Sequence, residues 1–599
     1  MKSLAQRIRE EFLPKVDRPG QYIGLEINAR HAGDVDAFAA AKADGVAVAL
    51  AFPDTYAIGI SHLGSQILYT MLNDTPGCVC DRAYCPTPDA ETILRQANLP
   101  LFGWESRASL REFDLLGFSL AYELCVTNVL TMLDLAGIPL HAADRGEGDP
   151  IVIAGDALAD TPEPMADFID LFLVGDGELP LAALAKLVAD MKRSHATRDE
   201  ILLQAARAIP GIYAPQFYSP RYNADGTLAA LTPTHSGLPT RILRSHIASM
   251  DQTPPMTAPL VPLAEAVHDR VAVEIMRGCP NGCRFCQAGH ARLPVRCRRI
   301  DDIVATAQAA IDATGHHEVS LLSLSTSDYP NLSELIDRMT AQFTPQHVSI
   351  SLPSLRVDSQ LRELPRLTSG VRKGGLTIAA EAGSERLRRA IGKDITEDNM
   401  LAGVQAAYRA GWRSVKVYFM AGLPGETDAD IDEIFDLCQR LSFARKPVDN
   451  QRGSISASVS WAVPKPHTPM QWCAMRDATY FWAVRSRLRE YAQRTPVSFK
   501  FHWIERSLLE AVLCRGDRRV GAAIEAVWRA GARMDSWDEH FNYARWQTAF
   551  AETGLDMAFY AHRELPLEEL TPWDHIAPHR GREFLLKEYQ RMRDVIAEL

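Results

Sequence analysis

The sequence predicts an α/β protein made of two successive α/β domains and a helical tail. Three observations predict it. Short apolar runs alternate with helical patterns from about 45 to 195, the alternation resumes at 271, and residues 500–599 keep helical spacing without strand runs. At 599 residues the chain is too long for one domain. The expected division is a helical arm over 1–44, an open doubly wound domain over 45–195, a bridge over 196–264, a partial parallel barrel over 265–499 and a helical domain over 500–599.

In the arm, Pro14, Pro19 and Gly20 break the first helix. Val46–Phe52 is an apolar run ended by Pro53-Asp54 and reads as a buried parallel strand. Leu63, Ile67, Leu68, Met71 and Leu72 then recur at helix spacing. Leu115–Leu120, Ile151–Gly155 and Leu171–Gly175 are further strand runs. In open sheets of this kind ligands bind beyond the carboxyl ends of the strands. Those ends are Pro53-Asp54-Thr55, Ser119-Leu120-Ala121-Tyr122-Glu123, Gly155-Asp156-Ala157 and Gly175-Asp176-Gly177-Glu178, all small or polar as a crevice requires. Glycine and aspartate also commonly follow any strand. The bridge holds a helix from Leu202 to Ala208 and a Pro-rich run from Thr253 to Pro262.

From 271 the strand runs are 271–276, 318–324, 348–352, 376–380, 414–420 and 455–463, with helical patterns near 300–314, 332–343, 396–410 and 428–441. Six β/α units make a partial parallel barrel, with its site at the carboxyl ends of the strands. In the tail, Leu508, Leu509, Val512, Ile524 and Val527 keep helical spacing, and the tryptophans Trp503, Trp528, Trp537, Trp546 and Trp573 read as core.

The first strand of the second domain runs into Arg277-Gly278-Cys279-Pro280-Asn281-Gly282-Cys283-Arg284-Phe285-Cys286. Gly278, Pro280, Asn281 and Gly282 bar a helix between the first two cysteines, so a tight loop turns three thiols, spaced C-x3-C-x2-C, toward one point. Three thiolates can hold three irons of a [4Fe–4S] cluster, which usually takes four cysteines, and leave the fourth iron open. A structural zinc knot is the other reading, and it would need Cys297 or His290 as a fourth ligand.

This stretch resembles the C-x3-C-x-aromatic-C signature of the radical S-adenosylmethionine (SAM) enzymes, with Phe285 in the aromatic place. The resemblance implies that Cys279, Cys283 and Cys286 hold the cluster, that SAM chelates the open iron, and that its reductive cleavage yields a 5′-deoxyadenosyl radical. It implies a TIM-type partial barrel and SAM contacts at successive strand ends. Those are Ser325 and Ser327, in place of the family's Gly-Gly-Glu type motif, then Ser351, Ser354 and Arg356, then Glu381 and Ser384, and then Gly422 and Leu423. The phrases Phe52–Gly64 and Gly117–Glu123 resemble a cobalamin-binding branch of the family, where a Rossmann-like sheet holds the corrin. That implies cobalamin, with methylation or rearrangement of an unactivated carbon. The D-x-H-x-x-G ligand motif is absent: His62 stands two residues before Gly64, but Ile60 replaces the aspartate. His62 therefore reads as a capping or packing residue.

Two alternatives stand beside this. A methylthiotransferase-like modifier of RNA or protein would hold a second cluster on three of Cys78, Cys80, Cys85 and Cys125, although Cys78 and Cys80 follow a turn-like Pro76-Gly77. A non-catalytic scaffold would carry an inert cluster. The run Arg284, His290, Arg292, Arg296, Arg298 and Arg299 reads as a solvated loop pairing with local acids, or else as a basic crescent for an anion.

Composition sets outer bounds. A formal net charge of -11 argues against binding nucleic acid by bulk charge, and 47% hydrophobic with 23% charged residues is ordinary for a globular protein. Eleven irregularly spaced cysteines suit reduced thiols rather than a disulfide scaffold. The charged N-terminus lacks the apolar core of a signal peptide, and no apolar run reaches the roughly 18–20 residues of a membrane span. A cytoplasmic protein with no membrane partner is expected, served by a reductant such as flavodoxin or ferredoxin. RNA, peptide and small molecule all stay open as substrates.

Overall fold

A computed structural model describes residues 2–31, 35–352 and 376–598. The first sheet has six strands, β1 (Val46–Phe52), β2 (Cys78–Tyr84), β3 (Leu115–Ser119), β4 (Ile151–Gly155), β5 (Leu171–Leu173) and β6 (Ile212–Tyr213). Their order is β2-β1-β3-β4-β5-β6, parallel except for the antiparallel pair β5–β6. The first five follow the flavodoxin-type order, in which the winding reverses between β1 and β3. Central β1 is buried along its whole length, which is why its sequence is an unbroken apolar run.

β2 does not appear among the apolar runs because Asp81-Arg82 stands at its centre. Both charges are buried and paired. Asp81 accepts the N–H groups of Glu105 at 2.9 Å and Ser106 at 2.8 Å. Arg82 meets Glu26 at 2.8 Å and Glu105 at 3.0 Å. Such groups persist inside a protein only with partners of this kind. Cys78 and Cys80 consequently lie inside a strand, not in the turn at Pro76-Gly77. The sheet also runs past 195. Helix Arg198–Ala208 leads into β6, and the rest of the expected bridge holds a hairpin of Tyr218–Tyr222 with Leu228–Pro233.

The second parallel region contains β7 (Val271–Glu274), β8 (Glu318–Leu322) and β9 (Ser349–Ser351) in one sheet. A second sheet holds β10 (Leu376–Glu381), β11 (Ser414–Ala421), β12 (Ser454–Trp461) and β13 (Val497–Phe501). Every neighbouring pair within these two sheets is parallel. Helices Ile300–Thr314, Leu332–Phe343, Glu397–Arg409 and Asp428–Phe443 lie between the strands. Local chemistry sets their ends. Gly315 stops the first in the left-handed region, and Thr427 with Asp430 closes a capping box on the last. β13 adds a seventh strand to the six expected. Its Val-Ser-Phe-Lys-Phe alternation marks a half-buried strand.

The tail is helical, and Trp546 and Trp573 are among its most buried side chains. Trp503 instead is exposed beneath the Arg506 guanidinium. The tail folds back on both domains. Trp528 donates to Thr131 at 3.0 Å, Met534 N–H to Asn128 at 2.9 Å and Thr127 to Asp535 at 2.9 Å. The last helix, Gly581–Ala597, reaches the cysteine loop, where Glu588 meets Arg284 at 3.0 Å. No helix among the described residues is long and apolar enough to cross a membrane.

Candidate functional site

Met276–Arg277 pairs antiparallel with Arg296–Cys297, so the cysteine loop is closed at its base. Gly278 has φ +88°, and a Cβ there would lie 2.8 Å from the carbonyl oxygens of both Arg292 and Pro294. Only glycine fits that turn. Asn281 donates its side-chain amide to Cys279 Sγ at 3.3 Å. Cys286 caps helix Gln287–Ala291 and accepts the Gly289 N–H at 3.4 Å. Phe285 packs in an apolar group with Leu423, Leu387 and Phe584.

The donor set suits a cluster. The three thiols are partly buried, and each of Cys283 and Cys286 feels the charge of other cysteines in the loop. Burial pushes Cys283 up to about 11, with Cys286 and Cys279 adding to the shift and Lys393 opposing it. A cationic centre bound by such thiols stabilises them as thiolates and offsets the cost of burial. The fourth ligand of a zinc knot finds no support. Cys297 is exposed, and burial is the one influence that raises it. His290 turns its Nε2 to the Cys283 carbonyl at 3.1 Å. Among the described residues no three His, Cys, Asp or Glu side chains gather closely enough for a single ion.

The strand ends place the remaining expected residues in two groups. Around the loop, Asn281 also donates to Asp328 at 2.7 Å, and Ser325 donates to the same carboxylate at 2.6 Å. Ser327 is buried in that turn. Glu381 sits at the end of β10 with φ +66°, where the register with β11 shifts, and Lys393 meets it at 3.2 Å. A non-glycine residue held there is strained, and such strain collects at functional sites. Glu381 acts electrostatically on Cys283 and Cys286. The second group serves the fold. Ser384 caps helix Glu385–Ala390 and donates to Asp430 at 2.5 Å. Gly422 gives its N–H to Glu426 at 2.6 Å, and Leu423 is fully buried. Ser351 ends β9. Ser354 and Arg356 lie outside the described residues.

A cleft of about 510 Å³ separates this loop from the first sheet. It opens where the winding reverses, beside Gly117-Phe118-Ser119 of β3 and Leu63-Gly64 after β1. Ion pairs tie its two walls. Asp176 meets Arg296 and, at 3.2 Å, Arg277. Glu178 meets Arg277 at 2.9 Å and Asp156 meets Arg292 at 2.6 Å. Burial alone would raise Asp156 and Asp176. The bonds and charges of His62 and Arg292 hold Asp156 below the usual carboxylate range, and those of Arg277 and Arg296 do the same for Asp176. The basic run is therefore not a solvated loop. Arg299 does pair locally, with Asp302 at 2.8 Å, but Arg292 and Arg296 hold acids of the other domain.

The strand end Pro53-Asp54-Thr55 does not line this cleft, and of Ser119-Leu120-Ala121-Tyr122-Glu123, Ser119 alone does. Asp54 is buried, accepting Trp537 Nε1 at 3.0 Å, Ser536 at 3.2 Å and the Tyr122 hydroxyl. Glu123 is paired with Lys465. The tail and the second region thus cover the end of β1 and the turn at Glu123. His62 caps helix Leu63–Asn73: its Nδ1 accepts the Ser65 N–H at 3.2 Å and its Nε2 faces Asp156 at 3.4 Å. Both ring nitrogens are engaged, so His62 is not poised as a metal ligand. The spacing of the three cysteines is legible in the sequence; the acids that grip the loop are not, because Asp156 and Asp176 lie over a hundred residues from the arginines they hold.

The three thiols lie on one loop after a parallel strand, and among the described residues neither Cys297 nor His290 joins them as a fourth ligand. Residues 64–215 match the family described as radical SAM proteins, N-terminal, and residues 273–438 match the radical SAM superfamily. Together these segments cover more than half of the chain, which belongs to the radical SAM superfamily. An uncharacterized protein of Methanocaldococcus jannaschii is 27% identical over 432 residues, which are 71% of this chain and 79% of that protein. The ribosomal protein uS12 methylthiotransferase RimO of Pelotomaculum thermopropionicum is 25% identical, over 38% of this chain and 51% of that one. A tRNA-2-methylthio-N(6)-dimethylallyladenosine synthase of Sorangium cellulosum is 27% identical, over 33% and 42%. This chain thus spans about half or less of the methylthiotransferases it matches. Among solved structures, the radical SAM methyltransferase TsrM of Kitasatospora setae, with cobalamin and a [4Fe-4S] cluster bound, has a TM-score of 0.47 at 14% identity, covering 93% of this chain and 100% of that one. The cobalamin-dependent radical SAM enzyme OxsB, with aqua-cobalamin and SAM bound, has a TM-score of 0.48 at 12% identity, covering 93% and 79%.

Proposed function

We propose that this protein cleaves SAM reductively at a [4Fe–4S] cluster held by Cys279, Cys283 and Cys286, and uses a cobalamin in the interdomain cleft to methylate or rearrange an unactivated carbon. One observation carries the reading: the cleft at the reversal point of the first sheet is walled on its other side by Met276, Arg277 and Gly278, which lead into the cysteine loop, and by Arg292, which follows it. When bound, the cluster supplies the electron that splits the SAM sulfonium into methionine and a 5′-deoxyadenosyl radical. Cobalamin supplies a methyl-carrying metal beside it. The chain's own residues do the rest. Asn281 and Gly289 donate hydrogen bonds to Cys279 and Cys286, which lower the charge density on those sulfurs. The Asp328 carboxylate, fixed beside Cys279 by Asn281 and Ser325, would serve as an acceptor for a cationic amine. Glu381 offers a carboxylate to ribose hydroxyls. The Asp156–Arg292 and Asp176–Arg296 pairs hold the walls together. On the sheet side the walls are Ser119, Gly155, Gly175 and Gly177, small enough for a flat macrocycle to approach the backbone. His62 is held by Ser65 and Asp156, so it is not among the residues that would hold the cobalamin.

The eleven cysteines are free thiols, which supports a reducing compartment such as the cytoplasm. Protein produced with cobalamin available and purified without oxygen should retain about one corrinoid per chain. Complete absence of corrinoid would remove cobalamin from the account and leave SAM cleavage standing. The methylthiotransferase reading has partial relatives in its favour, but it needs three converging thiols in the first domain. There the buried Cys78 and Cys80 lie within β2, while Cys85 follows its carboxyl end and senses Cys125. Replacing all four by alanine with unchanged iron content would dismiss it.

A further inference from the structure

The sheet of β10 to β13 is covered by helices on one face. There Ile378, Val417 and Val459 pack with Met400, Ile434 and Leu488 of helices Glu397–Arg409, Asp428–Phe443 and Ala478–Ala492. The residues that alternate with them stay open, and along β11 Ser414, Lys416 and Tyr418 are all exposed. A parallel sheet is normally covered on both faces and its strands are then apolar throughout. This open face is polar instead. Its register sets Lys416 beside Ser456 and Ser456 beside Ser498, then Tyr418 beside Ser458 and Ser458 beside Lys500. His502 extends the pairing by one step, donating its N–H to the Val459 carbonyl at 3.1 Å, and is exposed. Strands about 4.8 Å apart, with about 3.3 Å per residue along each, give a face of about 14 by 13 Å. Its cations are free. The four strands contain a single acid, Glu381, which Lys393 holds at 3.2 Å. Among the described residues no carboxylate pairs with Lys416 or Lys500. Tyr418 is 44% exposed.

We infer that this face binds a single-stranded nucleic-acid segment as the substrate. The inference names the substrate class of the proposed function and rests on that reading for the chemistry at the cysteine loop. Two unpaired ammonium groups suit two backbone phosphates, and they do so locally on a chain whose formal net charge is -11. The exposed Tyr418 and His502 rings are platforms on which bases stack, and an open four-stranded sheet face with exposed rings holds two or three bases. The serine hydroxyls between them donate and accept hydrogen bonds, as base edges and sugars require. A lipid or an apolar peptide would need an apolar floor, which these rows do not provide. The face also leads to the cluster loop. Met420, the next residue of the Lys416–Tyr418 row, packs against the same apolar group as Phe285. Glu381, at the carboxyl end of β10, acts electrostatically on Cys283 and Cys286.

The test measures binding to the anaerobically reconstituted full chain by fluorescence anisotropy, at low and at about 0.2 M salt. The probes are a short unstructured RNA, a DNA of the same sequence and an acidic peptide of similar length and charge. The wild type should bind at least one of the nucleic acids, and the peptide at least about tenfold more weakly. Tyr418→Ala should weaken nucleic-acid binding about tenfold, while Tyr418→Phe, which keeps the ring, should stay within about twofold. Lys416→Gln and Lys500→Gln should each reduce the salt slope by about 0.7. Thermal unfolding of each variant separates lost binding from lost fold. Equal binding by the wild type and a folded Tyr418→Ala, binding of neither nucleic acid, or a peptide bound as tightly through the same residues would overturn the inference. So would nucleic-acid binding abolished by saturating SAM, because the face would then belong to the SAM pocket. A wild type that binds nucleic acid through Tyr418 yet cleaves no SAM would sink the proposed activity and leave the binding face standing.

Discussion

Replacing Glu426 by Gln should flatten a pH dependence expected of the loop from Gly422 to Thr427 in the wild type. The Glu426 carboxyl is buried and accepts the Gly422 N–H at 2.6 Å and the Tyr480 hydroxyl. Burial is the largest influence and pushes it up from 4.5 to about 7, although the Tyr480 and Gly422 hydrogen bonds pull the other way. Between those values the closed loop holds a proton that the open loop releases. The closed form is therefore most stable below about pH 4.5, and that stability is lost as pH rises through about 7. A rise of this size, at about 1.4 kcal/mol per unit, comes to about 3.5 kcal/mol, or roughly three hundredfold in the opening equilibrium. Amide hydrogen exchange of residues 422–427 between pH 5 and 8, corrected for intrinsic rates, reads it directly. The wild type should lose most of that protection across the range, and Glu426→Gln, which keeps an acceptor for the Gly422 N–H, should change little. Equal slopes in the two proteins would refute the reasoning.

Three further outcomes follow from the site. Asp176→Asn leaves two buried arginines short of a counter-charge and should cost about 3 kcal/mol, the low end for a broken buried pair, because Arg277 keeps Glu178 and Glu274. A double-mutant cycle with Arg296→Met, read by thermal unfolding, should show coupling above about 1 kcal/mol, and strictly additive effects would contradict the latch. Acidification should open the cleft, since Asp156 and Asp176 are both depressed. Their contribution is present above the ordinary carboxylate range and is lost as pH falls below it. Exchange protection of the cleft walls that drops between pH 6 and 8 instead would disagree. Gly422→Ala should destabilise its loop by about 1–3 kcal/mol, because φ there is +92° and the new Cβ would lie 2.7 Å from the Phe481 ring. Unchanged exchange protection at residues 422–427 would argue against it.

The strands β1, β3 and β4 could be read directly because each is a continuous apolar run buried on both sides of a parallel sheet. β2 could not. Its Asp81-Arg82 pair imitates a turn until Glu26 and Glu105, far away in sequence, are seen to neutralise Arg82. β13 was missed for a milder reason, since one five-residue alternation is a weak signal. The same division runs through the site. Cys279, Cys283 and Cys286 are bound together by local spacing, and the glycines between them are dictated by local backbone geometry. The partners of Arg277, Arg292 and Arg296 are set by how one sheet lies on the next domain. No local pattern encodes that, so a basic run that looked like a solvated loop is an interdomain clamp. Burial of Asp54 beneath Trp537 is a similar case: a strand end that looked open to ligand is closed by the tail.

The most direct test of the account is the metal content and SAM chemistry of the anaerobically reconstituted chain beside Cys283→Ala. Iron and sulfide near four each per chain, with 5′-deoxyadenosine formed on reduction in the presence of SAM, is the predicted result for the wild type. Both should fall in Cys283→Ala, the 5′-deoxyadenosine to background. A single zinc per chain, or SAM cleavage that survives the loss of Cys283, would contradict an open-cornered cluster on this loop.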